Sequence, residues 1–578
     1  MSKCLYEDSS GDELPIENEN EDLSEEEEIV TQSDHDSNSE QDFTDNENSE
    51  SDSDDEIPPN NFFLGKDKTS KWFKTNVSTV SKVKNKNLLK ILPGPKQVAR
   101  GLTSEISALE LIIDSFMIEN IVKYTNLYID FKKNSVGYQR ARDARNTTKN
   151  EIAALLGLLY FIGAKKNNHC NVEEVWDTET GFTITRQVMS YKRFLFLLRC
   201  IRFDDRDTRE DRKQTDKLAA IRDIFDKFVT NCKDTYCLGE YVTIDEKLEA
   251  FRGRCSFIQY IPNKPAKYGI KMFVLCDAKT HYISNVEVYC GQQPEGPYKM
   301  QNTPTEIVKR LVDPIKGSKR NLTTDNWYTS FPLAQILLKD YKITLIGTLK
   351  KNKRELPAEF LPHKNREVKS TIFGFQKDTT IVSHVPKRNK SVILLSTMHD
   401  SGEIDEETKK SEINLDYNAT KGAVDTVDQM CGSYSVKRIT KRWPLVIFFS
   451  IMDMAGINAL ILYHSNANNL KLKRRVFLKN LSMSLMKPFL IERASITSLP
   501  LDIKASLAKY KSTEEVANEA EPDPKRKGRC VTCGRSKNKN TTIRCDTCKE
   551  FVCKAHSVVK TSCPKCSRET ESANEDSD

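Results

Sequence analysis

Apolar residues recur at the spacing of amphipathic helices between residues 97 and 240. Thr148-x-x-Glu151 forms a capping box, which marks the start of a helix. One apolar stripe then comprises Ile152, Leu155, Leu156, Leu159 and Ile162, and a second comprises Leu218, Ile221, Ile224, Phe225, Phe228 and Val229. Because a spacing of three or four residues places side chains on one helix face, we predict helices here, with both stripes in the core.

The periodicity changes near residue 240. Strands are predicted at Tyr241–Phe251, Ile270–Cys276 and His281–Tyr289, and the last two are joined by a turn at Asp277–Thr280. A short strand at Asn321–Asp325, a helix near residues 330–340 and a strand at Ile343–Leu349 follow. Three antiparallel strands followed by alternating strand and helix are typical of an RNase H-like core, although other α/β folds share this periodicity.

Residues 351–412 are polar and weakly periodic, which predicts an inserted subdomain, and a helical pattern then continues to about residue 510. It includes Pro444–Ser465, an apolar run nearly long enough to cross a membrane. Asp453, Asn458 and His464 interrupt this run, and an Asp in mid-span costs about 2.5–3.5 kcal/mol on insertion scales. We therefore predict a buried core helix and no membrane association.

Charge is divided unevenly along the chain. Residues 1–58 contain 23 acidic residues and one Lys, whereas the rest contains 88 basic and 60 acidic residues, a formal charge of +28. The acidic segment has few apolar residues and is expected to be disordered. The basic body favours polyanionic partners such as nucleic acid, although a solvated charged surface would have the same composition.

Four aspartates have unusual contexts. Asp245 interrupts an apolar strand, where alternation points it to one face and Glu246 to the other, and Asp325 ends a short strand. Asp425 and Asp428 lie three residues apart and share a helix face. Carboxylates that converge at strand ends can hold the two Mg²⁺ ions of phosphodiester chemistry. A capping Asp, a turn Asp and two solvated helix acids are the structural alternatives.

The C-terminal region holds eight soft metal ligands, in four pairs separated by two residues. They are Cys530, Cys533, Cys545, Cys548, Cys553, His556, Cys563 and Cys566. This spacing predicts two structural zinc ions, and a disulfide knot would need an oxidising compartment. A cross-brace gives one zinc to Cys530, Cys533, Cys553 and His556 and the other to Cys545, Cys548, Cys563 and Cys566. Sequential pairing satisfies the same stoichiometry.

Six segments resemble piggyBac transposases in order and spacing. They are TIDEKLEAFRGRC, YIPNKPAKYGIK, TTDNWYTSFPLA, GTLKKNKRELP, YNATKGAVDTVDQM and KRWPL. The resemblance covers roughly residues 97–566. It implies an α/β fold with an RNase H-like catalytic core and an inserted subdomain, flanked by an α-helical dimerisation and DNA-binding domain. The Cys/His order also resembles the family's C-terminal domain, which recognises the transposon's terminal repeats.

The expected domains follow from this resemblance together with the composition. They are an acidic tail (1–58), a basic, loosely structured linker (59–96), helical segments (97–240 and 435–510), catalytic segments (241–350 and 413–434), the insertion (351–412), a linker (511–529), the double-zinc domain (530–566) and a tail (567–578).

Carried over residue by residue, the family's catalytic triad falls on Asp245, Asp325 and Asp425, and its further essential Asp falls on Asp428. The resemblance implies two Mg²⁺ ions per active site, with Mn²⁺ as an alternative. It also implies excision of the element through DNA hairpins and integration at TTAA by a homodimer. Asp277 is interpreted as a hairpin-turn residue, and Asp453 as a hydrogen-bonded core or helix-surface acid.

Several basic residues are candidates for DNA contact. Arg252, Arg254, Lys264 and Lys267 follow Asp245 closely, and Arg529, Arg535, Lys537 and Lys539 surround the first zinc ligands. Phosphate contact and ordinary surface charge are alternatives for each of them. Trp327 can stack on a base or fill the core. Lys525–Arg529 can direct the chain to the nucleus or serve as a linker.

Two other functions are consistent with parts of the sequence. A host-domesticated descendant would bind DNA without cutting it, although retention of all four aspartates favours activity. A ubiquitin ligase built on the cross-brace needs an apolar groove for its partner enzyme, and the ligand order fits that class poorly. We therefore predict a nuclear, metal-dependent DNA transposase.

Overall fold

A computed structural model describes residues 31–32, 61–76, 88–89, 91–135, 144–262, 264, 266–466, 468–511, 527–533, 539–545 and 550–558 of the chain. The chain divides into two compact units, one formed by Met1–Cys170 with Phe196–Ser484 and the other by Asn171–Leu195 with Leu485–Asp578. The predictions for residues 1–58, apart from Thr31–Gln32, for residues 525–526 and for residues 567–578 lie outside the described residues. The expected disorder does not hold for Thr31–Gln32, which pairs as a strand with Gln259–Tyr260.

The strands occur mainly between residues 236 and 396. In chain order they are β1 (Thr31–Gln32), β2 (Phe62–Leu64), β3 (Lys71–Phe73), β4 (Gly94–Pro95), β5 (Tyr236–Cys237), β6 (Tyr241–Ala250), β7 (Gln259–Tyr260), β8 (Tyr268–Asp277), β9 (Ile283–Val288), β10 (Asn321–Thr324), β11 (Thr344–Thr348), β12 (Thr371–Gln376), β13 (Thr379–Lys387), β14 (Lys390–Ser396), β15 (Gly528–Arg529) and β16 (Asn540–Thr541).

The helices precede and follow the main strands. They are α1 (Glu105–Glu110), α2 (Ser115–Ser135), α3 (Lys149–Ala164), α4 (Val172–Trp176), α5 (Thr183–Val188), α6 (Tyr191–Cys200), α7 (Arg209–Lys213), α8 (Arg222–Thr235), α9 (Pro304–Val312), α10 (Phe331–Ile336), α11 (Glu412–Thr420), α12 (Ala423–Ser433), α13 (Trp443–Ser465), α14 (Arg474–Ala494) and α15 (Leu501–Leu507). The predicted change from helix to strand near residue 240 is confirmed.

A 12-stranded sheet forms the centre of the first unit. Its order is β1-β7-β8-β6-β10-β11-β14-β13-β12-β3-β2, and β9 also pairs with β8. Strands β6, β8 and β9 are antiparallel neighbours, whereas β10 is parallel to both β6 and β11. Nine of the ten residues of β8 are buried, as expected of a strand that is covered on both faces of a sheet.

The segment predicted to be an insertion contributes strands to this same sheet. Strand β14 pairs antiparallel with β11, and β13 and β12 continue the sheet outward. Their buried residues include Thr380, Ser383 and His384, which weaken the apolar alternation on which strand prediction depends. The polar composition therefore concealed three strands.

The expectation of a loosely structured linker over residues 59–96 does not hold for residues 61–76. Strands β2 and β3 form a hairpin whose second strand pairs with β12. Trp72 is 1% exposed, its indole N–H donates to the carbonyl of Glu355 at 2.8 Å, and its ring meets Phe331 edge-on. Burial of aromatic residues stabilises this hairpin in a segment that looked only basic.

Helix α13 is the apolar centre of the helical part. Its length and composition would allow it to cross a membrane, yet 94% of its most apolar window is buried inside the protein. Within the helix, the Asn458 side chain donates to the Ile283 carbonyl and accepts from the Ile283 amide. The prediction of a buried core helix is confirmed, and α13 is attached to the sheet through β9.

The predicted capping residue of α3 is also confirmed. The Thr148 hydroxyl accepts a hydrogen bond from the Glu151 amide at 3.2 Å. The Glu151 carboxylate accepts from Arg145 at 2.8 Å and from the Thr147 hydroxyl at 2.9 Å. Both predicted apolar stripes are buried.

Two acids outside the predicted triad accept hydrogen bonds that stabilise the fold. Asp277 accepts from the amides of Gly239, Lys279 and Thr280, and therefore fixes the turn between β8 and β9. Asp453, in α13, accepts from the Ser435 hydroxyl at 2.8 Å and from the Val436 amide at 2.9 Å. Burial raises the pKa of Asp453 to about 7, so it belongs to the core rather than to the helix surface.

We expect Asp453→Asn to change how stability depends on pH. The folded protein holds a proton on Asp453 that the unfolded chain, with a pKa of about 3.9, releases. The contribution of this group to the free energy of unfolding therefore falls by up to roughly 4 kcal/mol as the pH rises from about 4 to about 7. Asn does not ionise and therefore causes no such fall, so the variant should gain stability relative to wild type between pH 5 and pH 8, as measured by urea denaturation.

Asp223→Asn, at an exposed position of α8, is the control for this experiment. An equal difference at both pH values would contradict the prediction.

Candidate active site

Three carboxylates meet where β6 and β10 run side by side. Thr324, the last residue of β10, pairs with Ile244, so Asp325 emerges beside Asp245 and Glu246. One carboxylate oxygen from each of these three acids lies within 4.8 Å of the other two. The parallel pairing of two strands thus brings together residues that are 80 positions apart in the sequence.

The loop after β10 is held by its own polar groups. Asp325 accepts a hydrogen bond from the Trp327 amide at 3.0 Å, and its carbonyl accepts from the Thr329 hydroxyl at 2.6 Å. Thr324 and Thr329 share a further bond of 2.8 Å. A Cβ atom at Gly347 in β11 would lie 2.1 Å from the Thr329 hydroxyl, so glycine there leaves room for the loop that carries Asp325.

Burial and repulsion between carboxylates determine the electrostatics of Asp245. Burial and the neighbouring Glu246 carboxylate raise the pKa of Asp245 well above its usual range. Such crowding of like charges disfavours the ionised state unless a cation is present. Three hard oxygen donors with this spacing are the donor set that Mg²⁺ prefers, so the residues fit the ion that the sequence predicts.

Two lysines contribute positive charge next to the cluster. The Lys264 ammonium lies 4.0 Å from a Glu246 oxygen. Lys271, in β8, is 3% exposed, and burial lowers its pKa to about 8 against the attraction of Glu246, Asp325 and Asp245. Its ammonium lies 5.0 Å from the centre of the Trp327 ring. The cluster is therefore bordered by cations on the Glu246 face of β6.

Trp327 belongs to an aromatic group beside Lys271. Its ring stacks on Phe273 with centroids 5.7 Å apart and meets Tyr328 edge-on at 4.7 Å. Trp327 remains partly exposed, whereas Phe273 and Tyr328 are buried. Packing in the core therefore accounts for the buried part of the Trp327 ring.

The two aspartates of α12 occupy different environments. Asp425 lies in the first helical turn and is exposed, and it is not a member of the carboxylate set described above. Asp428 is partly buried, and its carboxylate accepts from Lys247 of β6 at 2.7 Å. Although the two acids share one helix, Asp428 is bound to the sheet through Lys247, whereas Asp425 lies at the exposed start of the helix.

The basic residues that the sequence suggested for DNA contact lie in both units. Arg252 and Arg254 are exposed just beyond β6, and the Arg252 guanidinium lies 5.3 Å from the centre of the Tyr268 ring. Lys267 is also exposed and adopts a left-handed backbone conformation with φ 51°. In the second unit, Arg529 and Lys539 are exposed, while Arg535 and Lys537 lie outside the described residues.

A second ligand cluster lies in the C-terminal unit. Cys530, Cys533, Cys553 and His556 place their ligand atoms within 4.8 Å of one another. The Cys533 and Cys553 sulfurs are 3.7 Å apart, and the His556 Nδ1 atom lies 3.4 Å from Cys553 and 3.5 Å from Cys533. A tetrahedral zinc site with bonds of about 2.0–2.3 Å has edges of roughly 3.5–3.8 Å. The four atoms therefore fit a zinc ion.

This cluster combines the first and third ligand pairs, as in a cross-brace. For the second set, Cys545 is partly buried, whereas Cys548, Cys563 and Cys566 lie outside the described residues.

Sequence reasoning passed over three charged residues of the site. Glu246 was expected to point away from Asp245, yet its carboxylate belongs to the same cluster. Lys247 and Lys271 are buried within strands. The available signal was a charged residue inside an otherwise apolar strand, because a buried charge requires a compensating partner nearby.

Comparison with known proteins assigns the class. The model of the Transposase IS4 family matches residues 104–460, which include Asp245, Asp325, Asp425 and Asp428. The chain belongs to this transposase family.

Among its relatives, the human PiggyBac transposable element-derived protein 3 is 22% identical over 461 residues, which cover 76% of this chain and 73% of the relative. The human chimeric ERCC6-PGBD3 protein is also 22% identical, and the match covers 41% of its length. The piggyBac transposase in a synaptic complex with hairpin DNA is 34% identical, with a TM-score of 0.73 over 81% of this chain and 98% of that structure's chain. Within the transposases, this chain is therefore a member of the piggyBac family.

We expect removal of the Cys533 thiol to release one zinc ion. Purified wild-type protein should hold two zinc ions per chain, and Cys533→Ser should hold one, as measured by atomic emission. Because structural zinc supplies apparent binding energies of about 10–16 kcal/mol in zinc-finger peptides, the variant's C-terminal region should also become sensitive to protease. Cys170→Ser, at a cysteine of the first unit, is the control. Unchanged zinc content in Cys533→Ser would rule out this site.

Proposed function

We propose that this chain is a cut-and-paste DNA transposase that excises an element through hairpin intermediates and integrates it at TTAA. The carboxylate cluster of Asp245, Glu246 and Asp325 is the observation that carries the proposal. Membership of the piggyBac family and the likeness to a transposase in complex with hairpin DNA support it. The strand order β9-β8-β6-β10-β11 is the order expected of an RNase H-like catalytic core.

The reaction implied by the family begins with attack of water on a phosphodiester at each end of the element. The phosphorus–O3′ bond breaks and leaves a 3′-hydroxyl. That hydroxyl attacks a phosphodiester of the opposite strand, whose phosphorus–O3′ bond breaks. The new bond closes a hairpin on the end of the element, and the flanking DNA leaves with a 3′-hydroxyl. Asp245, Asp325 and Asp425 would hold two Mg²⁺ ions, or Mn²⁺. When bound, these ions supply the positive charge that activates the attacking oxygen and stabilises the pentavalent phosphorus.

The chain's own residues prepare the DNA for this chemistry. Arg252 and Arg254 would contact backbone phosphates next to the cut, since both are exposed within nine residues of Asp245. Lys264 and Lys271 add positive charge beside the cluster. Lys267 would contact phosphate from the same loop. The exposed part of Trp327 is available for stacking on a base.

The C-terminal module would recognise the element's terminal repeats. Two zinc ions would hold it, one on Cys530, Cys533, Cys553 and His556 and the other on Cys545, Cys548, Cys563 and Cys566. Arg529, Arg535, Lys537 and Lys539 supply charge for DNA phosphates. We further propose that the protein acts as a homodimer in the nucleus, directed there by the basic segment Lys525–Arg529.

A plasmid excision assay with the element's own ends tests the proposal. Wild-type protein should excise the element, and Asp325→Asn should lower the rate by at least about 100-fold, because loss of a ligand weakens transition-state stabilisation by the metal pair. Asp223→Asn, an exposed acid of α8, should retain activity. Robust excision by Asp325→Asn would refute a metal site that depends on this residue.

A domesticated protein that binds DNA without cutting it is the second candidate. The names of the human relatives, which describe transposable element-derived and chimeric proteins, favour it. The sequence around the gene separates the two candidates, since short inverted repeats flanked by TTAA duplications indicate an element. Absence of excision by wild-type protein, with specific DNA binding intact, would favour domestication.

A further inference from the structure

A charged network lies within the first unit, on the face of β6 that carries Asp245. The Lys247 ammonium lies 2.7 Å from an Asp428 oxygen and 2.5 Å from a Glu249 oxygen. Lys437 lies 3.1 Å from the other Glu249 oxygen. The side chains of Lys247 and Glu249 are 4% and 10% exposed. Two cations and two anions balance in this network.

The electrostatics show that these four charges depend on one another. Although burial opposes it, Lys247 and Lys437 lower the pKa of Glu249 to about 2. Attraction to Glu249 and Asp428 likewise keeps Lys247 protonated, with its pKa well above the usual range despite burial. Loss of one member would leave a net charge in a place that water reaches poorly.

The network connects the two elements that carry the predicted metal ligands. Lys247 is two residues after Asp245, on the same face of β6. Asp428 is three residues after Asp425, in α12. A contact between Lys247 and Asp428 therefore fixes the position of the helix relative to the strand, close to both ligands.

The first turn of helix α12 has no side-chain cap. Its N-cap is Gly422, which provides no side-chain hydrogen bond to the first turn that holds Asp425. Farther along, Arg474 donates to the Met430 carbonyl at 2.6 Å and anchors the second half. Asp428 is thus the charged anchor nearest to Asp425 on this helix.

We propose that Asp428 is a positioning residue that acts through Lys247, and that this ion pair holds α12 so that Asp425 can join Asp245 and Asp325. The inference rests on the proposed function and deepens it. Asp428 would not bind metal itself, because its carboxylate is engaged by Lys247 and is not a member of the cluster formed by Asp245, Glu246 and Asp325.

The two roles predict different behaviour for paired substitutions. Asp428→Asn leaves an extra positive charge in the network, and Lys247→Met leaves an extra negative charge. The double variant leaves only the neutral pair of Glu249 and Lys437. A buried ion pair can often be replaced as a pair with little loss, whereas removal of one partner is damaging. A positioning pair should therefore be rescued by the double change, and a metal ligand should not.

The experiment measures Mn²⁺ affinity of the full-length, zinc-loaded protein by electron paramagnetic resonance, alongside excision. Each single variant should weaken Mn²⁺ binding and slow excision by about 10-fold or more, and the double variant should recover to within about 3-fold of wild type. A merely structural pair would lower the thermal midpoint without changing Mn²⁺ affinity. The Glu306→Gln/Lys309→Met pair, in the surface helix α9, is the matched control and should change neither.

Several results would overturn the proposal. If Lys247→Met binds Mn²⁺ as wild type does while the double variant is as weak as Asp428→Asn, then Asp428 is a ligand. If Lys247→Met fails to fold, Lys247→Arg keeps the charge and should retain affinity, and its loss would contradict an ion-pair role. Mn²⁺ binding needs no DNA cleavage, so an inactive wild-type protein would refute the proposed function without deciding the role of Asp428.

Discussion

The parallel pairing of β10 with β6 is the constraint on which the rest of the site depends. It sets Thr324 against Ile244 and brings Asp325 beside Asp245. A slip of one residue would turn every side chain of β10 to the other face of the sheet. Polar contacts hold this register, because Thr323 shares a 2.7 Å bond with Thr420 at the end of α11, and Thr243 donates to the Thr420 carbonyl at 2.8 Å. The same threonine therefore joins both strands to the helix that leads into α12.

Strand β6 carries acids on both of its faces, and each face has its own counter-charge. Glu246 lies toward Lys264 and Lys271, whereas Glu249 and Asp428 lie toward Lys247 and Lys437. Burial of Lys247 and Glu249 in this strand is tolerated because each lies against an opposite charge. Asp245 and Glu246 differ, because their carboxylates lie together with that of Asp325.

Much of the fold could be predicted from periodicity, because the elements around the site follow simple patterns. The strands near Asp245 and Asp325, the core helix Trp443–Ser465 and the Thr148 cap all lie where the sequence predicted them. Strands β12 to β14 and the hairpin at residues 61–76 were missed, because their buried positions include polar residues or lie in a segment that looked like a linker. The positions of Glu246 and Lys247 depend on cross-strand and helix–strand contacts, which no local pattern encodes.

The contrast among the aspartates explains why spacing could only suggest the site. Asp277 accepts from three backbone amides, and Asp453 accepts from one amide and one hydroxyl, so each is satisfied by groups that also order the chain. Asp245 instead lies against the carboxylates of Glu246 and Asp325, and burial together with the Glu246 charge raises its pKa, which opposes folding in the ionised state. Local arrangements that conflict with stability are concentrated at functional sites. A divalent cation removes this conflict, because it converts repulsion among the carboxylates into shared coordination. The close carboxylates that destabilise the protein without a cation are thus the groups that suit it to bind a metal ion.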